Sequence, residues 1–197
     1  RADDRNGELR CLLVLGDVAG AGLLLLDMER PAEACPHLER ALQQAETPAQ
    51  QAAFTLHLAR ALHLADEPDP AATHYQRGLA LVLALPETPT NAESWQALGA
   101  WGAATGRQDR MQEGYAQALR LLETPDLRTR WLETAQCYRD AAQASGNRRL
   151  AQLLEQHIAN PPTSVPAPAS SSLTSSSPAS SSRASPSRAS PSRASSS

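Results

Sequence analysis

Residues 95–118, WQALGAWGAATGRQDRMQEGYAQA, contain the pattern that decides the fold. Small and apolar side chains recur at helical spacing on both sides of Gly106-Arg107-Gln108, and Met111, Tyr115 and Ala118 form one stripe in the second half. A glycine followed by polar residues is typical of a tight turn. The stretch therefore predicts two antiparallel helices joined by a short turn.

The same arrangement recurs on both sides of this predicted hairpin. A Glu-Thr-Pro tripeptide follows a Leu- and Ala-rich segment at 46–48, 87–89 and 123–125, and Asn160-Pro161-Pro162 follows the last such segment. Proline stops a helix because it lacks an N–H group and disfavours helix in the preceding residue. Repetition at a period just under about 40 residues is typical of stacked helical hairpins. The sequence thus predicts about four hairpin units.

Composition supports an all-α fold and excludes several classes of function. Hydrophobic residues make up 41% of the chain but aromatic residues only 4%, and Leu and Ala, which favour helices, supply most of the apolar content. A net charge of -3 gives no broad cationic surface, so we expect no nucleic-acid partner. The apolar run from Cys11 to Leu26 contains Asp17 and is shorter than the roughly 20 residues of a spanning helix, so we expect no membrane role.

The third unit resembles the tetratricopeptide repeat family in Trp95-x-x-Leu98-Gly99 followed by Met111-x-x-x-Tyr115-x-x-Ala118. The second unit matches with Leu58-Ala59-x-x-Leu62 and the first with Ala21-Gly22-x-x-Leu25. The resemblance implies a short right-handed solenoid of about four units over residues 1–160. Leu98, Gly99, Tyr115 and Ala118 would then be buried at one helix–helix contact.

In this family the first helix of each repeat lines a concave groove that receives a peptide or a partner helix. The resemblance implies that polar contacts to a bound partner come from five residues of these helices: Arg60, His63, Glu93, Gln96 and Arg139. The leading expectation is therefore a scaffold or adaptor that binds a protein or peptide. The alternative is a ligand- or partner-sensing regulatory module of a larger signalling or transcription-regulatory protein.

The sequence shows no set of residues typical of an enzyme. It contains no nucleophile elbow, no phosphate-binding glycine loop and no helical zinc motif, so we expect no catalysis, cofactor, metal or small-molecule substrate. Cys11, Cys35 and Cys137 lie in apolar helical contexts, which predicts buried thiols in a reducing compartment and a cytoplasmic location. His57, His63 and His74 are predicted to lie at the surface.

Residues 161–197 form a predicted disordered tail that consists mainly of Ser, Pro, Ala and Arg. The units beginning at Arg183, Arg188 and Arg193 recur every five residues, a period that matches no packed structure. Their serines are candidate phosphorylation sites: Ser185, Ser190 and Ser195. Two interpretations remain open for the tail, an inert linker and a basic segment that phosphorylation releases from the acidic domain.

Overall fold

The computed structural model describes residues 2–159, and within them nine α-helices and two short 3-10 turns occur without any β-strand. The helices are α1 (Ala2–Leu15), α2 (Val18–Asp27), α3 (Pro31–Gln43), α4 (Pro48–Leu64), α5 (Pro68–Ala84), α6 (Ala92–Ala104), α7 (Gln108–Leu121), α8 (Arg128–Ala144) and α9 (Arg148–Ala159). The 3-10 turns Pro89–Asn91 and Pro125–Leu127 precede α6 and α8. The all-α prediction is confirmed for the described residues.

The helices pack as sequential antiparallel pairs. Neighbours in the chain form the pairs α2–α3, α4–α5, α6–α7 and α8–α9, while α1 packs on α2. We call α2, α4, α6 and α8 the first helices of these hairpins. Each first helix also contacts the first helix of the following hairpin, most extensively between α4 and α6. The predicted hairpins are therefore present, and their first helices follow one another as neighbours.

The turns inside the hairpins share one hydrogen-bonding pattern. In the third hairpin the Arg107 N–H donates to the Gly102 carbonyl at 2.8 Å, and the Gly106 N–H donates to Ala103. This pair of bonds is the Schellman motif, which requires a positive φ at the residue after the helix cap. The equivalent positive-φ residues of the four hairpins are Glu29, Asp66, Gly106 and Gly146, at intervals of 37, 40 and 40 residues. These residues give a register for aligning the hairpins.

The Glu-Thr-Pro segments connect one hairpin to the next. Thr47 caps α4 by accepting a hydrogen bond from the Gln50 N–H at 3.1 Å, and the Gln50 side chain accepts from the Thr47 N–H at 3.1 Å. This reciprocal pair is a capping box, which satisfies backbone donors that a helix start leaves free. In the second segment Glu87 forms an ion pair with Arg120 of α7 at 2.7 Å. The helices therefore end where the sequence predicted, and each Glu-Thr-Pro segment leads into the next helix.

The contact between α6 and α7 depends on glycines. A Cβ atom placed on Gly99 would lie 2.7 Å from the Tyr115 ring, and one placed on Gly114 would lie 2.6 Å from the Trp95 carbonyl oxygen. These distances are shorter than van der Waals contact, so the two backbones approach closely only because side chains are missing there. Leu98, Gly99, Tyr115 and Ala118 are all buried, as predicted.

Aromatic stacks join the third hairpin to both of its neighbours. The rings of Tyr75 and Trp101 stack between α5 and α6 with centroids 3.7 Å apart, and those of Tyr115 and Tyr138 stack between α7 and α8 at 5.0 Å. Trp95, Trp101 and Trp131 are all buried in the apolar core. The aromatic residues are few, but they lie where successive hairpins meet and stabilise those contacts by burying large apolar surfaces.

Candidate functional site

Side chains from all four first helices influence the ionisation of two groups, the Tyr115 hydroxyl and the Cys137 thiol. These side chains are Asp27 of α2, Arg60 of α4, Gln96 of α6 and Cys137 of α8, and we call them the first-helix row. Tyr115 of α7 lies beside the row, and its hydroxyl is influenced by Cys137, Arg60 and Asp27. Residues up to 110 positions apart in the chain therefore influence the same groups.

The pKa of the Cys137 thiol is influenced by residues of three first helices. The Cys137 side chain is exposed, but neighbouring groups partly desolvate its thiol and raise its pKa, and the carboxylates of Asp27 and Asp140 raise the pKa further. The Gln96 side chain opposes this by lowering the pKa, because an amide donor stabilises a thiolate. Residues of α2, α6 and α8 thus all influence this thiol.

Tyr115 is buried, and its phenol stays neutral near pH 7. Burial raises the pKa of its phenol above the ordinary range, and Cys137 raises it further. The positive charge of Arg60 opposes these effects by favouring the phenolate. The hydroxyl is therefore neutral, and Arg60 is the cation that acts on it.

Arg60 is the cation of the row, and it forms no ion pair with any described residue. Its Nε atom is shielded from solvent and has no hydrogen-bond acceptor. Arg139 differs, because its guanidinium donates two hydrogen bonds to one Asp140 carboxylate oxygen at 2.8 and 2.6 Å. A charged donor without an acceptor is costly to bury, so Arg60 has unused capacity to bind an acceptor from outside the chain.

His57 lies one helical turn before Arg60 and is only 8% exposed. Burial lowers the pKa of the imidazole to about 3, and the nearby Arg60 charge contributes to the same direction. Its Nδ1 atom has no hydrogen-bond partner among the described residues. Near neutral pH this imidazole is therefore uncharged and adds no positive charge to the row.

The five residues predicted to contact a partner fall into two groups. Arg60 and Gln96 belong to the first-helix row, whereas His63 and Glu93 are exposed and make no side-chain hydrogen bond or ion pair with the described residues. Arg139 is paired with Asp140, and it lies seven residues before Gly146, the position that Gly99 occupies before Gly106. All five assignments stay predictions. Ser185, Ser190 and Ser195 lie outside the described residues.

Sequence reasoning missed three contributors to the site, Asp27, Tyr115 and Cys137. Tyr115 was assigned to packing only, and its hydroxyl could have been noticed because one end of a tyrosine is polar. Nothing in the local sequence places Asp27 near Cys137, since their approach depends on how the hairpins stack. Cys137 could have been proposed only if the fourth hairpin had been aligned with the other three.

Two predictions about burial were wrong. Cys11 and Cys137 are exposed instead of buried, and Cys35 is half-buried. His57 is buried instead of lying at the surface. The reason in both cases is that burial is decided by contacts between hairpins, and the apolar neighbours along the chain do not determine which helix face meets another helix.

A separate cleft of about 380 Å³ lies between α3, α4 and α5. Its floor includes Leu58, and Glu39 and Arg77 stand among the polar side chains that line it. Within residues 2–159 no group of His, Cys, Asp and Glu side chains has the arrangement of a metal site. None of the helices in this part of the chain is both long and apolar enough to cross a membrane.

The geometry defines the class of protein as far as the structure shows it: an all-helical chain of sequential antiparallel hairpins. No family model, curated protein or solved structure matches the chain. The function is therefore inferred from the first-helix row and its unpaired Arg60.

Proposed function

We propose that this chain is a scaffold or adaptor that binds a segment of another protein along the first-helix row, as a short right-handed solenoid of tetratricopeptide type. The observation that supports the proposal is that successive first helices contact one another and that side chains from all four influence the Tyr115 hydroxyl or the Cys137 thiol. Such a site suits an extended peptide or a helix, because either can contact several helices in succession.

The solenoid part of the proposal is supported by the repeated turns. Four hairpins with the same turn motif at intervals of 37, 40 and 40 residues would rotate by a similar step each time, which generates a superhelix. The role that we propose is one of binding and not of catalysis, since the row contains no histidine that could act as a base for the exposed Cys137 thiol. His57 is neutral and Tyr115 is protonated near pH 7.

Site-specific photo-crosslinking in cells would test the proposal. A photoreactive amino acid is introduced at Gln96 in the row, and in a separate protein at the exposed Arg77 of α5 as the matched control. We expect a discrete crosslinked partner at position 96 that does not form at position 77. Crosslinks of equal yield at the two positions, or only at position 77, would place binding on another face.

A further inference from the structure

The cleft of about 380 Å³ between α3, α4 and α5 is lined by described residues that are all different from those of the first-helix row. Helices α3 and α5 both pack on α4, and the cleft lies between these two second helices of neighbouring hairpins. Glu39 and Gln43 lie one helical turn apart on α3, as His74 and Arg77 do on α5. Each pair therefore lies on one helix face, and the two faces form the walls of a pocket large enough for a small molecule.

The walls and floor of the cleft contain polar groups that the chain itself does not use. Among the described residues that line it, Glu39 is the only carboxylate and Arg77 the only guanidinium. Neither lies within 4.0 Å of an oppositely charged group of a described residue, so they do not pair with each other. The Nδ1 atom of His74 also has no hydrogen-bond partner there. Leu58, which is only 1% exposed, adds an apolar group to the floor.

The next hairpin shows that a polar side chain at the position of Arg77 can be bound within the chain. Gln117 of α7 is eleven residues after Gly106, just as Arg77 of α5 is eleven residues after Asp66. The Gln117 side chain donates a hydrogen bond to the Glu87 carboxylate at 3.1 Å. The equivalent side chain of α5 has no such acceptor among the described residues, so its charge is left for an acceptor from outside the chain.

We propose that this cleft binds a small zwitterion of the amino acid class, with its carboxylate at Arg77, its ammonium group at Glu39 and an apolar side chain over Leu58. A guanidinium binds a carboxylate through two parallel hydrogen bonds, and an ammonium group donates to a carboxylate in the same charge-assisted way. Two opposite charges on the walls of one cavity favour a ligand that carries both charges over one that carries either alone. The site adds a second activity to the proposed function and does not rest on it.

The test compares leucine with two matched compounds that each lack one of its charges. Isoamylamine lacks the carboxylate, and isocaproic acid lacks the ammonium group. Each compound is titrated into the full isotope-labelled chain near neutral pH, and the amide chemical shifts of α3 and α5 are followed by NMR. We expect leucine to produce saturable shifts and to bind about threefold to fivefold more tightly than either compound, as suits one additional exposed ion pair.

Conservative variants connect the preference to the two charges. In Arg77→Gln, leucine should bind no more tightly than isoamylamine, because its carboxylate has lost the cation. In Glu39→Gln, leucine should bind no more tightly than isocaproic acid. Arg40→Gln is the matched control, because Arg40 is eleven residues after the turn residue Glu29 and does not line the cleft. This variant should keep the preference of the unmodified chain.

Three results would overturn the inference: leucine produces no saturable shifts, the three compounds bind equally, or Arg77→Gln and Glu39→Gln keep the original preference. Loss of the preference in Arg40→Gln would contradict it as well, because the effect would then not belong to the cleft. The amide spectra show in the same experiment whether each variant is folded. Crosslinking at Gln96 tests the first-helix row separately, so failure of one proposal is distinguishable from failure of the other.

Discussion

The third and fourth hairpins have the same turn but different contacts between their helices. Gly106 and Gly146 close the two turns with the same pair of hydrogen bonds. Forty positions after the glycines of the third hairpin, the fourth has residues with side chains: Gly99, Gly102 and Gly114 correspond to Arg139, Ala142 and Leu154. The turn therefore determines that two helices run antiparallel, and the residues between them determine how closely they pack.

The difference also explains why the two hairpins contribute differently to the row. In the third hairpin the absence of side chains lets α6 lie close on α7, with Tyr115 against Gly99. In the fourth, Arg139 takes the position of Gly99, and its guanidinium turns to Asp140. Arg139 is therefore paired within its own helix, whereas Arg60 of the second hairpin forms no ion pair with a described residue.

The largest expected effect comes from adding one methyl group to the third hairpin. Gly114→Ala would place its Cβ 2.6 Å from the Trp95 carbonyl oxygen and 2.7 Å from the Gly99 Cα. Since both neighbours are backbone atoms, the helices must separate, and we expect a loss of about 3 kcal/mol in the free energy of unfolding. Denaturant titration measures it.

Gly7→Ala is the matched control, because a Cβ atom at that helical glycine meets nothing within 4 Å. It should leave stability unchanged or raise it by up to about 1 kcal/mol. If Gly114→Ala were as stable as Gly7→Ala, the close approach of α6 and α7 would be wrong, and with it the contrast with the fourth hairpin.

The next largest effect concerns the pH dependence of stability, which a buried histidine of the second hairpin should change. His57 is nine residues before the turn residue Asp66, where the third hairpin has Ala97 nine residues before Gly106. Because burial lowers the pKa of folded His57 to about 3, only the unfolded chain takes up this proton as the pH falls below about 6.5. The stabilisation that comes from keeping His57 neutral is therefore fully present above pH 6.5, and it is lost as the pH falls from 6.5 to 3.

His57→Ala should remove this part of the pH dependence of the free energy of unfolding. From pH 7 to pH 5 we expect the free energy of unfolding of the unmodified chain to fall by about 2 kcal/mol more than that of the variant. Urea titrations at a series of pH values measure the two slopes. His63→Ala, at an exposed position of the same helix, should keep the slope of the unmodified chain. Equal slopes for His57→Ala and the unmodified chain would mean that the imidazole is not buried in solution.

The smallest effect concerns the turns themselves. Asp66 has a φ of 64°, in the left-handed region, where Gly106 of the third hairpin has a φ of 71°. This conformation costs a residue with a side chain more than it costs glycine. Asp66→Gly should therefore raise the melting temperature, by a stabilisation of about 0.5–1 kcal/mol.

The reciprocal change Gly106→Asp should lower the stability of the third hairpin by a similar amount. A result in which Asp66→Gly destabilises the chain, or Gly106→Asp has no effect, would show that the two turns do not share one geometry.

The parts of the fold that the sequence predicted are those determined by nearby residues. Proline at 48, 89 and 125 stops a helix through its own chemistry, and Gly106 and Gly146 mark turns because glycine adopts a positive φ easily. Glu29 and Asp66 occupy the same conformation without being glycine. The register of the hairpins could therefore be assigned only once the backbone was known.

The site was less predictable because it depends on contacts between hairpins. Arg60 and Gln96 could be proposed, since they follow from the pattern of the second and third units. Asp27 and Cys137 could not, because nothing within one hairpin indicates that α2 and α8 act on the same groups. The burial of His57 has the same origin, since the packing of neighbouring helices around α4 decides it.

The most direct test of the account is the pKa of the Cys137 thiol, because convergence of the first helices is its central claim. In a chain carrying Cys11→Ser and Cys35→Ser, the rate of alkylation by iodoacetamide as a function of pH gives this value for Cys137 alone. The Asp27 carboxylate raises the pKa across the row, so Asp27→Asn should lower it, whereas Asp66→Asn should leave it unchanged. An unchanged pKa in Asp27→Asn would contradict the account, because Asp27 of α2 would then not act on Cys137 of α8.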